Sequence, residues 1–136
     1  MIYMVFFVAP IVLGIGLVFV LVTDPGVRWR MRARRPEEQR AIALLRSWLT
    51  PEQAAQWDAR GDFEVLGCDT GRRYRITRGT AMNVHELDAD GTTLAQWCFA
   101  PESKLASGDV FLAQKIGLET MEQQVLALAN TQASGP

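Results

Sequence analysis

The chain has 136 residues, 49% of them hydrophobic, two cysteines and a formal net charge of −1. With an apolar N-terminal run set aside, about one hundred residues remain, which suits one compact domain with a modest core and argues against a second. The net charge hides a split: residues 24–35 hold five arginines against Asp24, about +4, whereas residues 36–136 hold nine Lys/Arg against fourteen Asp/Glu, about −5. The basic block is local, which argues against a chain-wide surface for nucleic acid.

Residues 2–22, IYMVFFVAPIVLGIGLVFVLV, contain no charged side chain. As a helix this run spans roughly 31 Å at about 1.5 Å per residue, matching a bilayer core of roughly 30 Å. Only Met1 precedes it, so the positive n-region and the A-x-A-like site of a cleaved signal peptide are missing. The expectation is a retained transmembrane helix over residues 1–23. Within it, Pro10 removes a backbone donor and bends the helix, and Gly14 lies one turn on along the same face. Together they open a shallow groove for a partner helix, or are irregularities facing lipid.

The stretch DPGVRWRMRARR follows as a basic juxtamembrane linker over residues 24–35. Arg28, Arg30, Arg32, Arg34 and Arg35 flank the span on one side only, and flanking Lys and Arg stay on the cytoplasmic side. The N-terminus is therefore expected outside the cell (inner) membrane and the remainder in the cytoplasm. Trp29 sits among these arginines, where its amphipathic ring suits the headgroup layer, and the arginines themselves suit anionic lipid.

From residue 36 the pattern is that of a folded α+β domain, expected over 36–130. PEEQRAIALLRSWL opens with Pro36 and two acids, and Ala41, Ile42, Leu45, Trp48 and Leu49 recur at helical spacing. TPEQAAQWDARG places Thr50 as N-cap, Pro51 in the first turn, Gln53 to complete a capping box and Gly61 as the stop. FEVL, RRYRIT, AMNVHEL and TTLAQWCF then read as short strands separated by the turn compositions CDTG, RGT and DADG, predicting a four-stranded antiparallel meander. In RRYRIT, Tyr74 and Ile76 fall on one face and Arg73, Arg75 and Thr77 on the other. DVFLAQKIGLETMEQQVLALAN returns to helical character. Gly117, and a second capping pattern at Thr120 and Gln123, leave open one bent helix or two consecutive ones. Residues 131–136 are expected to be a flexible tail.

RRYRITRG, NVHELDADG and LAQKIGLE together resemble a pattern in small uncharacterised proteins of bacteria and their phages, over roughly residues 60–130. The resemblance implies a compact prokaryotic domain and carries no activity.

Candidates for chemistry are few. Cys68, His85 and Cys98 are the soft metal ligands of the chain, and no C-x-x-C spacing pairs them; tetrahedral zinc would need a fourth donor such as Asp69 or Glu86. The expectation is therefore no metal and no cofactor. A Cys68–Cys98 bridge requires the first and fourth strands to meet, and a cytoplasmic setting disfavours it. No P-loop, Rossmann glycine pattern or H-E-x-x-H occurs, so no catalytic residue is assigned. Arg72, Arg73, Arg75 and Arg78 fall within seven residues and could meet phosphate or an acidic partner, with Glu64 on the preceding strand as a cross-strand neutraliser. An anchor, a fold and charged surfaces without a convergent pocket point to a non-catalytic accessory subunit of a larger membrane complex, its partners being membrane lipid and a membrane protein rather than nucleic acid. The alternative is a membrane-tethered sensing module that recognises a soluble partner or ligand.

Overall fold

The computed structural model of the chain describes residues 35–79, 81–99 and 104–133. The span expected over residues 1–23, with Pro10 and Gly14, and the linker residues Arg28, Trp29, Arg30, Arg32 and Arg34 lie outside the described residues. Among the described residues no helix is long and apolar enough to cross a membrane. The chain divides between Arg35 and Pro36, and the fold described here is that of the second unit.

That unit is α+β. Two helices, α1 (Pro36–Trp48) and α2 (Pro51–Arg60), precede strands β1 (Phe63–Leu66), β2 (Arg73–Ile76), β3 (Val84–Leu87) and β4 (Thr93–Cys98); α3 (Ser107–Leu128) and β5 (Asn130–Ala133) follow. Thr50 caps α2 as its sequence predicts: its hydroxyl accepts from the Gln53 amide at 3.2 Å while the Gln53 side chain accepts from the Thr50 amide at 3.1 Å. Gly61 ends the helix with φ of 75°, a left-handed geometry that costs glycine little, and its N–H reaches the Trp57 carbonyl at 2.8 Å.

All five strands pair antiparallel in sequential order. The sheet thus has five strands rather than the expected four, and residues 130–133, expected in the main to fray, form the fifth. Asn-Thr-Gln-Ala has no apolar face, but β4 offers an edge whose amides need partners, and Cys98 opposite Asn130 through Ala95 opposite Ala133 supply that ladder. Between β3 and β4 the register shifts: Glu86 faces Ala95 and Leu87 faces Thr93, so Leu94 bulges outward and is half exposed.

Phe63, Val65, Tyr74, Ile76 and Val84 form the buried face of the sheet, joined by Phe111 and Leu118 of α3 and Trp57 of α2. Trp57 meets Phe63 edge-on at 6.1 Å and Phe111 at 5.8 Å between ring centres, joining the two helices to β1. Helix α3 packs on α1, β1 and β2, and α2 covers the β1 edge. There Gln56 accepts from the Glu64 amide and Gln53 donates to the Glu64 carbonyl, both at 2.8 Å, so two glutamine side chains satisfy an edge that would otherwise invite another strand.

Helix α3 consists of two helical segments that meet at a kink. Met121 has φ −148° and ψ 40°, breaking the helix where its sequence hinted at a fresh start. The expected Thr120–Gln123 box does not form; the Thr120 hydroxyl instead donates to the Ile116 carbonyl. Trp48, counted with the buried stripe of α1, is 57% exposed.

Candidate functional site

Among the described residues, three polar clusters centred on glutamates bear on the candidate site, each built across more than one element. On the open face of the sheet, Glu64 lies opposite Arg75, and the Glu64 backbone groups bond to α2 rather than to β2, the geometry in which facing side chains come closest. One Glu64 oxygen accepts from Arg75 at 2.9 Å and the other from Arg73 at 2.9 Å. Burial pushes the Glu64 carboxyl up, but the Arg73 and Arg75 hydrogen bonds and charges outweigh it, and the group titrates below the usual range. His85, opposite Arg75 on β3, has Nδ1 3.3 Å from the Thr93 hydroxyl. Burial, then the Arg75 charge, holds its pKa below the ordinary value.

At a second place Glu86 faces the helix side of the sheet, 7% exposed, and accepts from Arg72 at 2.8 Å and from the Trp97 indole at 3.2 Å. The four arginines expected to meet phosphate or an acidic partner are divided among three contacts within the domain. Arg73 and Arg75 hold Glu64, Arg72 holds Glu86, and Arg78 lies over the Trp57 ring at 5.4 Å. The cross-strand role expected of Glu64 is found.

The third cluster is centred on Glu122, which sequence reasoning passed over. It directly follows the kink and is fully buried. One carboxylate oxygen accepts the amides of Asp69 and Thr70, each at 2.8 Å; the other accepts the Thr70 hydroxyl at 2.5 Å and the Tyr74 hydroxyl at 2.7 Å. In return the β1–β2 turn caps the renewed helix. The Glu122 amide donates to Cys68 Sγ at 3.5 Å and the Gln123 amide to Asp69 at 3.0 Å. The break at Met121 had a sequence signal in Thr120 and Gln123, but the caps come from residues more than fifty positions away.

Cys68, Asp69 and Glu122 bring one ligand atom each within 4.8 Å of one another. Their lone pairs are nonetheless directed at N–H and O–H donors, whose positive ends would face any cation placed among them. The arrangement is suited to clamping a turn on a broken helix. His85 and Cys98 do not join Cys68. The two cysteines form no disulfide, and β1 and β4 are separated by two strands, a span of roughly 14 Å at about 4.8 Å per strand spacing. The Cys68–Cys98 bridge that the sequence left open is thus out of reach. Adding a chelator to the purified chain is expected to leave its Tm unchanged; stoichiometric zinc whose removal lowers Tm would refute this.

The sequence matches no protein-family model, and comparison with curated proteins and with solved structures returns no significant match.

Proposed function

We propose that this chain is a non-catalytic accessory subunit of a larger membrane complex, held by one span with its α+β domain on the cytoplasmic side. The observation that carries the reading is the uncharged run 2–22 followed by five arginines within residues 28–35, a pattern that supports insertion with the arginines on the cytoplasmic side. A structural use for the domain's polar residues supports it. Glu64, Glu86 and Glu122 each hold an arginine, an indole or backbone amides, and Gln53 and Gln56 close a sheet edge. These groups serve the fold, leaving the span as the natural element with which to dock a partner.

Replacing residues 2–22 by an unrelated transmembrane helix tests the reading through co-purification in mild detergent. A docking subunit loses its partners, and Gly14→Leu in the native span weakens their recovery by filling the groove beside Pro10. Full recovery with the foreign span would sink the docking-subunit reading and favour a sensor whose recognition surface lies in the domain.

A further inference from the structure

Helix α1 carries two apolar faces, and the domain covers one. Ala41 and Leu45 are buried where α1 meets α3, and there the backbones approach so closely that a side chain on Gly108 would run into the main chain of Ala41. Beside that stripe Leu44 and Trp48, one turn apart, are 47% and 57% exposed, and Ala43 and Ser47 are exposed to one side of them.

The charges along the Leu44–Trp48 stripe are Glu37 and Arg40, both exposed, and they offset each other. Arg46 is engaged by Asp58 at 2.7 Å, while Arg40 is exposed one turn before Leu44. Position in the chain adds a third constraint. Helix α1 starts directly after the arginine-rich linker, and the dozen or so residues between the apolar run and Pro36 reach at most roughly 40 Å even when extended.

We infer that the Leu44–Trp48 face of α1 rests on the anionic headgroup layer of the membrane that anchors the chain. The inference rests on the tethered reading above and adds a second, interfacial contact to it. A helix of this kind lies in the plane of the interface, its tryptophan and leucine entering the headgroup–acyl boundary while Arg40 and the arginines of the preceding linker meet lipid phosphates. Trp48 suits that depth because its ring is apolar and its N–H can remain among hydrated headgroups. A docked α1 would also fix the orientation of the domain, because the adjoining face of the same helix is packed on α3.

The test uses the full chain carrying Trp29→Phe, which removes the linker tryptophan, in vesicles of phosphatidylcholine and phosphatidylglycerol. The vesicles are prepared with and without bromine on the upper part of the acyl chains. Flotation first reports whether the chain inserts; a chain left at the bottom of the gradient overturns the tether and the inference together. For floated chain, bromine is expected to quench emission, and adding Trp48→Phe is expected to remove most of that quenching. Trp48 is exposed, so this change leaves the fold intact, which far-ultraviolet circular dichroism verifies. If the floated chain is quenched equally with and without Trp48, the face is covered by something other than lipid: the inference falls while the tether stands.

Discussion

Glu122→Ala is expected to destabilise the domain by about 3–5 kcal/mol, a large part of the roughly 5–15 kcal/mol that holds a small domain together. The carboxylate accepts four hydrogen bonds, from the Asp69 and Thr70 amides and from the Thr70 and Tyr74 hydroxyls, and Tyr74 is itself fully buried. Alanine leaves those donors unmatched beneath a kinked helix and adds a cavity. Equilibrium urea unfolding measures the loss, and a midpoint within error of the parent would refute the clamp. Glu122→Gln keeps the volume but turns an N–H₂ towards groups that already donate, so a smaller loss of the same sign is expected.

The same carboxylate sets part of the pH dependence. Burial alone would raise its pKa, but the Thr70 and Tyr74 side chains and the Thr70 and Asp69 amides outweigh that, so the folded value lies below the ordinary one. Burial and the Glu122 hydrogen bond together push the Tyr74 hydroxyl upward, keeping it a donor. Stability from Glu122 is therefore complete above the unfolded carboxyl pKa of about 4.3 and is lost as pH falls through the depressed folded value. His85 acts earlier on the acid side. Its folded pKa is lowered by burial and then by Arg75, so the unfolded state takes up the proton first, and stability declines once pH drops below about 6.5. Stability against pH should thus fall in two stages below neutrality, and Glu122→Gln should flatten the lower one.

Local chemistry was legible in the sequence where a feature depends on neighbours along the chain. The Thr50–Gln53 box, the Gly61 stop and the alternation that buries Tyr74 and Ile76 each lie within a few residues. Strand β5 was not legible because Asn-Thr-Gln-Ala shows neither alternation nor β-branched enrichment; the unpaired edge of β4 creates it. Trp48 was misplaced because it lies three residues after Leu45, rotated by roughly 60° from it, at the border of the stripe. The metal-minded reading of Cys68 looked to His85 and Cys98. The strand order parts them, and the same turn instead meets Glu122, half the chain away. What the sequence could not show for β5 and for Cys68 is a long-range pairing fixed by the sheet.

The crossing of α1 and α3 depends on a single missing side chain, so Gly108→Ala is expected to cost about 2–4 kcal/mol. A Cβ at Gly108 would lie 2.4 Å from the Ala41 carbonyl carbon, 2.5 Å from its oxygen and 2.6 Å from the Ile42 nitrogen. Backbone atoms cannot rotate away as a side chain would, so the helices must separate. Separation also loosens the cap of α3. Ala106 supplies no side-chain cap, and the Ser107 amide donates instead to buried Glu38 of α1, at 2.9 Å. A carboxylate at that place stabilises the positive end of the helix, a benefit that fades as the gap widens. For a domain of about one hundred residues, 1 kcal/mol shifts Tm by roughly 4–8 °C, so the variant should melt roughly 8–32 °C lower. Glu38→Gln separates the two contributions: it keeps the crossing and an acceptor but removes the charge, and is expected to cost only about 0.5–1.5 kcal/mol. Equal losses from Gly108→Ala and Glu38→Gln would assign the cost to the cap, whereas an unchanged Tm for Gly108→Ala would mean that α1 is not seated on α3 as described.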